Sequence, residues 1–458
     1  MGRSLARSRS VKAAATVTAG AAALLAFSAG APATATASAA PAALPAPVPA
    51  SAGHAMAAGM HSVLPTSQCL TQMKIRCYTP LQYQKAYNLA PLYKSGVTGK
   101  GRTIVIVDSF GSPTIQSDLN TFDKQFGLPN THVNVVRWGN VPKFNNTDPT
   151  QLGWAGETTL DVEYAHSIAP GARIVLIETG VAETEGTTGF PQMIAAEKYA
   201  VDHNWGDVIS QSFGATEQTF PGYGKGGTQS VQQLRYAYAD AYWKHVTVLA
   251  AAGDNGATDS EASGSAMYPY KVDSWPSTDP LVTSVGGTQL TLNDQGVRTA
   301  PDQVWNDGYG AGGGGVSGIF ARPGYQQAVA GVTGAHRGTP DISMTAAVNG
   351  AAWVYSTFDS NPKNNGWGLV GGTSEATPIF SGIVALADQK AGHRIGFLNN
   401  KLYALAEHDA TGHGIVDVTK GNNSFGGVTG YNAAKGYDLA SGWGTINGTL
   451  FVDALARR

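Results

Sequence analysis

Five short stretches of the chain are dominated by apolar and β-branched residues without strict alternation. They are Thr103-Ile-Val-Ile-Val-Asp108, Arg173-Ile-Val-Leu-Ile-Glu178, Val208-Ile-Ser-Gln-Ser212, Val246-Thr-Val-Leu-Ala250 and Leu281-Val-Thr-Ser-Val285. Such runs suit strands of a parallel sheet covered on both faces. Helical periodicity lies between them, over Gln192 to His203 and Ser230 to Trp243, and again over Glu157 to Ser167 and Ile379 to Ala387. Strand and helix in alternation predict an α/β doubly wound domain with a mainly parallel sheet flanked by helices. No internal repeat or second linker interrupts the pattern, so residues 69–458 are read as one domain.

The first residues do not share this pattern. Arg3, Arg7, Arg9 and Lys12 precede an apolar run from Ala13 to Phe27, followed by small residues at Ala35-Thr-Ala37 and Ala37-Ser-Ala39. This predicts a signal peptide over residues 1–39; the run is shorter than the ~20 residues of a membrane span. The chain is therefore read as secreted and extracellular. Residues 40–68 are rich in Ala, Pro and Ser and read as a linker or short pro-segment. Export also predicts a disulfide between Cys69 and Cys77 that clamps the mature N-terminus, the alternative being two buried thiols.

Composition narrows the classes. Hydrophobic residues are 42% of the chain and charged residues 14%, enough apolar content for a sizeable core. The formal net charge of −2 becomes −6 once the four leader cations are removed, leaving 26 bases against 32 acids. No basic patch dominates, which disfavours a nucleic-acid binder. Two cysteines cannot build a four-cysteine zinc site, and no His-Glu-x-x-His is present. The run Gly312 to Gly315 lacks the Lys-Ser/Thr of a phosphate loop.

Three segments carry candidate chemistry. Gly371-Gly-Thr-Ser-Glu-Ala-Thr-Pro378 precedes an apolar helix and places Ser374 at its N-terminus, where backbone N–H groups favour developing negative charge. A bare N-cap serine would also fit that position. Gly156-Glu-Thr-Thr-Leu-Asp161 sets Glu157 and Asp161 four apart, on one helix face. Two close carboxylates cannot both ionise easily, so the pair can share a proton and serve as a base in acid. A solvated acidic helix face explains the same spacing. Ala251-Ala-Gly-Asp-Asn-Gly256 follows a strand and offers Asp254, which can donate to an oxyanion only when protonated. An Asp-Asn-Gly turn needs no such role.

Together these segments resemble the sedolisin family, the serine-carboxyl peptidases. Val208-Ile-Ser-Gln-Ser-Phe-Gly214, Thr283-Ser-Val-Gly-Gly-Thr288, Gly312-Gly-Gly-Gly-Val-Ser317 and Arg337-Gly-Thr-Pro-Asp-Ile-Ser343 look like further family landmarks in family order. The resemblance implies a subtilisin-like fold with about seven parallel strands. It implies Ser374 as nucleophile, Glu157 as general base, Asp161 as the residue that orients and protonates it, and Asp254 as oxyanion donor. Protein or peptide substrates follow, with endopeptidase or tripeptidyl-peptidase action open and a monomer expected, without nucleic-acid or membrane partners.

The resemblance also implies one structural calcium ion. Its ligands would be the carboxylates of Asp417 and Asp438 and the carbonyls of Val418, Ala434 and Gly436, hard oxygens that suit calcium. Ala434 stands where the family usually has glycine, which matters only if φ there must be positive. Two rival readings remain. One is a subtilisin-type peptidase with a histidine base and Asp108 as triad acid; His166, five residues after Asp161, falls off its helical face and reads as structural. The other is a secreted binding protein that kept the fold without catalysis.

Overall fold

The computed structural model describes residues 54–225 and 228–457; the leader at residues 1–39 lies outside them. The central sheet has eight strands. From one edge they run Val133–Arg137, Arg173–Thr179, Thr103–Ser109, Val208–Gln211, Thr247–Ala251, Thr283–Gln289 and Ile342–Thr345, all parallel. The two-residue strand Gln303–Val304 adds antiparallel to the end of Thr283–Gln289. Seven parallel strands and one short antiparallel piece match the subtilisin-like expectation.

Neighbouring residues along each strand feed different cores, because successive side chains point to opposite faces. Ile104, Ile106, Ile174, Leu176 and Leu249 pack with Leu160, Ile168, Ile379, Phe380 and Ile383 on one face. Val105, Val107, Val175, Ile177 and Val248 pack with Phe190, Met193, Ile194 and Tyr238 on the other. The helices Pro149–Ile168 and Thr373–Ala391 therefore share one side, and Phe190–Asp202 and Tyr236–Trp243 the opposite side.

A second sheet delivers the candidate nucleophile. Gly366–Gly371 pairs antiparallel with Ala351–Ser356 and, on its other edge, with His54–Met60. The end of the stretch expected as linker thus forms a strand on the body and then enters the helix Thr66–Met73. Cys69 and Cys77 are disulfide-bonded, with Cα atoms 5.9 Å apart, and tie that helix to the strand Cys77–Tyr78.

Candidate active site

The strand Gly366–Gly371 runs into the helix Thr373–Ala391 through one residue, Gly372. Its φ of 145° and ψ of 165° belong to a region open in practice only to glycine. A Cβ on Gly371 would meet the Ala346 carbonyl oxygen and Val348 nitrogen at 2.9 Å. The Gly-Gly pair is thus what lets the strand turn directly into a helix. Ser374 sits at the second helical position and is 1% exposed. More than an N-cap is involved, since the preceding residue, Thr373, is itself gripped from outside the helix.

That grip comes from Asp254. Its Oδ1 accepts the Thr373 backbone N–H and the Thr373 hydroxyl, each at 2.7 Å. The same hydroxyl accepts the Gly253 N–H at 3.1 Å. The Asp254 carbonyl accepts from Ala311 N–H at 2.9 Å, and the Gly253 carbonyl from Gly313 N–H at 2.7 Å. A Cβ on Gly313 would lie 2.0 Å from the Ala252 oxygen, so the glycine run serves close backbone approach rather than phosphate binding. The 251–256 segment is a turn bolted to the helix that carries Ser374.

Glu157 and Asp161 lie on the helix Pro149–Ile168, which starts with Pro149 and the Asp148 cap, whose Oδ1 accepts Thr150 N–H at 2.9 Å. Glu157 is 4% exposed and Asp161 0%, so they do not form a solvated acidic face. Ser212, just beyond the strand Val208–Gln211, donates its hydroxyl to Asp161 Oδ1 at 2.8 Å. The same hydroxyl lies 3.5 Å from the Ser374 carbonyl oxygen. Burial holds the Asp161 carboxyl well above the ordinary carboxylate range, the charges of Asp108 and Glu157 push it further, and only the Ser212 bond opposes them.

Asp108, at the end of the central strand Thr103–Ser109, joins this group. It is completely buried, and burial raises its pKa to about 7, with the neighbouring Thr158 hydroxyl opposing and the Glu178 charge adding. It stands among carboxyls. His166 is fully buried with Nε2 2.9 Å from the Pro129 carbonyl and 3.2 Å from Asp123 Oδ1, a structural setting as expected. Sequence reading gave no role to Ser212. The signal for Ser212 was the polar Ser-Gln-Ser ending of an otherwise apolar strand.

The two candidate calcium carboxyls both reach the 434–438 loop. Asp417 Oδ2 accepts Gly436 N–H at 2.9 Å, and Asp438 Oδ2 accepts Ala434 N–H at 2.8 Å, so both carboxyls bracket the 434–438 loop. Asp438 Oδ1 further accepts from Ala440 N–H and Ser441 N–H, each at 2.9 Å, and from the Ser441 hydroxyl. Ala434 is not among the described non-glycine residues with positive φ, so alanine is unstrained there. Among the described residues no group of three or more His, Cys, Asp or Glu is arranged to hold a metal. A set of two carboxylates and three carbonyls falls outside that count, and its donors fit a hard cation.

Residues 143–444 match the sequence model of the subtilase family. The chain belongs to that family. Kumamolisin of Bacillus sp. (strain MN-32) is 32% identical over 388 residues, covering 82% of this chain and 63% of that protein. Sedolisin of Pseudomonas sp. (strain 101) is 30% identical over 381 residues, covering 81% and 60%. Human tripeptidyl-peptidase 1 is 30% identical over 328 residues, covering 64% and 51%. Among solved structures, Pseudomonas sedolisin, a serine-carboxyl proteinase complexed with two molecules of pseudo-iodotyrostatin, superposes with a TM-score of 0.67 at 26% identity. That match covers 83% of this chain and 98% of that one. Within the subtilase family the relatives are thus sedolisin-like, as the landmarks implied. The chain spans 63% and 60% of the length of the first two of these relatives.

Proposed function

We propose that this subtilase is a secreted, acid-active serine-carboxyl peptidase that cleaves peptide bonds through an acyl-enzyme on Ser374. One observation carries the reading. The Ser374 turn is tied on one side to the Asp254 carboxyl through Thr373, and on the other to the Asp161 carboxyl through Ser212. A nucleophile bracketed by buried carboxyls requires those carboxyls to hold protons, which suits acid conditions.

In this reading Glu157 takes the Ser374 hydroxyl proton as the oxygen attacks the substrate carbonyl. Asp161 keeps one oxygen on Ser212 and supplies the proton shared by the pair. Asp254, neutral and fixed by two bonds to Oδ1, presents the proton of its other oxygen to the forming oxyanion. Collapse expels the leaving amine with the proton from the carboxyl pair. Water then repeats the sequence on the acyl-enzyme and restores Ser374. The N-terminal dipole of the helix Thr373–Ala391 adds to oxyanion stabilisation.

A calcium ion held by Asp417, Asp438 and the carbonyls of Val418, Ala434 and Gly436 would supply structural charge to the C-terminal loops. Its chemistry is cross-linking rather than catalysis. Among the described helices none is long and apolar enough to cross a membrane.

Hydrolysis of denatured protein at about pH 4 and about pH 8, with Ser374→Ala as control, tests the reading. Activity at the acid value, absent from the variant, supports it. Activity rising to a plateau at the alkaline value identifies a histidine base, and no hydrolysis at either identifies a binding protein.

A further inference from the structure

Asp108, Ser212 and Asp254 all lie at or just beyond the C-terminal ends of parallel strands. The N-terminal ends of the same sheet carry a cavity of about 510 Å³, lined by none of the candidate catalytic residues. That volume falls within the roughly 300–1,000 Å³ of small-molecule sites. Its walls follow from the sheet register. Residues two apart on a strand share a face, so Arg173 points the same way as Val175, and Asn134 is paired with Val175 on the edge strand. Val175 is buried and lends an apolar surface, while Arg173 and Asn134 are exposed. After the helix Phe190–Asp202 the chain turns through Asn204, whose φ of 57° asparagine tolerates, and brings Asn204 and Trp205 to the same cavity.

The polar groups of this cavity are not consumed by the fold. Arg173 Nε donates to the Thr103 hydroxyl at 3.1 Å, which holds the guanidinium in place, and its two terminal nitrogens have no partner among the described residues. Asp207, which accepts the Thr103 N–H at 2.8 Å, is engaged by Arg394 at 2.8 Å and by Arg102 at 3.7 Å. No acidic side chain is among the described residues that line the cavity. His132, which does line it, is oriented by Gln116. Gln116 Oε1 accepts the Val133 N–H at 2.9 Å and Nε2 donates to the Thr131 carbonyl at 3.0 Å, so the backbone fixes which way the amide lies. Oε1 therefore faces His132 Nδ1 at 3.0 Å as an acceptor; Nδ1 carries a proton, and Nε2 is left for other partners. The carboxamides of Asn134 and Asn204 line the same cavity without a hydrogen bond to any described residue.

We infer that this cavity is a second binding site, for a carboxylate-bearing sugar of an acidic saccharide chain. The donor set selects that class. One guanidinium with both terminal nitrogens open suits a single carboxylate, held bidentately, and is too little charge for a polyphosphate. Carboxamides and an imidazole both give and accept hydrogen bonds, as sugar hydroxyls do. Trp205 and Val175 offer apolar surface to the C–H face of a pyranose ring. The strand Thr103–Ser109 puts about 20 Å between this cavity and the strand ends that carry the candidate catalytic groups. Such a site tethers the chain to an acidic saccharide and leaves Ser374 accessible. The assignment does not depend on the peptidase reading, because its readout is binding.

The test is calorimetric titration of the full chain with trigalacturonate, and separately with a hyaluronan tetrasaccharide, at about pH 6, where a carboxylate is ionised. At least one of the two should bind with a Kd below about 1 mM. The methyl ester of the saccharide that binds keeps the rings and loses the charge, and acetate keeps the carboxylate alone; each should bind at least about tenfold more weakly. Arg173→Gln should weaken saccharide binding by about tenfold or more, and Asn134→Ala by about three- to tenfold. Both residues are exposed, so the variants should melt as wild type does. If Arg173→Gln does not fold, Asn134→Ala decides. Binding of neither saccharide overturns the proposal. So does acetate that binds as tightly as the saccharide, which marks an adventitious ion only, and so does saccharide binding that neither variant weakens. A triglutamate peptide that binds as tightly and is equally weakened by Arg173→Gln assigns the surface to an acidic protein partner and also overturns it.

Discussion

Asp254 Oδ1 receives two hydrogen bonds from Thr373, from its N–H and from its hydroxyl, both at 2.7 Å. An oxygen that accepts twice is a poor place for a proton, so under the proposed reading a neutral Asp254 would carry its proton on Oδ2. The two bonds fix the side chain beside the first turn that holds Ser374.

Asp254→Ala should lose about 10²–10³ in kcat, the usual loss for one oxyanion donor. Asp254→Asn is more informative, because an amide donates at every pH. If the role is donation alone, the asparagine variant keeps much of the activity in steady-state assays. Thr373→Val removes the hydroxyl that aims the carboxyl and should cost about three- to tenfold, in line with one hydrogen bond. An alanine variant with unchanged kcat/KM at the acid optimum would reduce the segment to a turn.

The pH profile should follow the buried acids. Asp161 is held protonated by burial and neighbouring charge, and Asp108 is raised to about 7. Both have native pKa values above their unfolded ones, so their contribution to stability is present in acid and is lost as pH rises through the native values. Activity and melting temperature should therefore decline together from the acid optimum toward neutrality and beyond. A melting temperature that climbs from about pH 5 to about pH 8 would contradict these assignments.

Ser212 supplies the hydrogen bond that favours ionised Asp161. In Ser212→Ala the Asp161 carboxyl binds its proton more tightly, and the pair takes up a second proton at higher pH. The acid limb of kcat/KM should move up by about half to one unit, equivalent to one hydrogen bond. An acid limb that stays in place removes Ser212 from the proton pathway.

Calcium is expected to act on stability. Saturating chelator should lower the melting temperature by several degrees if the ion binds only the folded chain. Asp438→Ala would destabilise even without metal, since Asp438 also holds Ala434, Ala440 and Ser441. Asp417 is exposed and has a single bond to Gly436, so Asp417→Ala is the cleaner variant. It should melt as chelated wild type does and be insensitive to chelator. Elemental analysis showing no bound calcium, with an unchanged melt, refutes the site.

What could be read beforehand was what local pattern dictates. Thr103–Ser109 and Arg173–Thr179 are buried on both faces, and their unbroken apolar runs announce this. Val133–Arg137 was missed because it is an edge strand with exposed positions, and its Val-Asn-Val-Val-Arg sequence lacks such a run. The helix expected over Ser230 to Trp243 is broken into Gln229–Gln232 and Tyr236–Trp243. His54–Met60 has little strand propensity, and the edge of Gly366–Gly371 supplies its pairing. Ser374 and Asp254 could be singled out as candidates because each follows a strand end marked by glycine. Ser212 could not, because its hydroxyl takes its place from a partner distant in sequence, Asp161.

The spacing between the two candidate helices gives the last prediction. Gly382 lies in the middle of the helix that carries Ser374, where it crosses the helix bearing Glu157 and Asp161. A Cβ on Gly382 would stand 2.7 Å from the Ile168 side chain and 3.3 Å from the Ala165 carbonyl oxygen. The Ile168 contact involves Cβ and Cγ2, close to the backbone, so it cannot be relieved by swinging a flexible side-chain tip. Gly382→Ala must therefore push the helices apart by some tenths of an ångström. Overpacking of this kind costs about 1–3 kcal/mol, although alanine itself favours a helix by about 1 kcal/mol over glycine. The two terms partly cancel in stability but not in geometry. Denaturant unfolding should show a loss of about 2 kcal/mol or less. A shift of that size between nucleophile and base should cost kcat about tenfold or more, with KM little changed. Equal losses in KM and kcat, or a fully active variant, would mean that the Ser374-to-carboxyl distance is not set by this helix crossing.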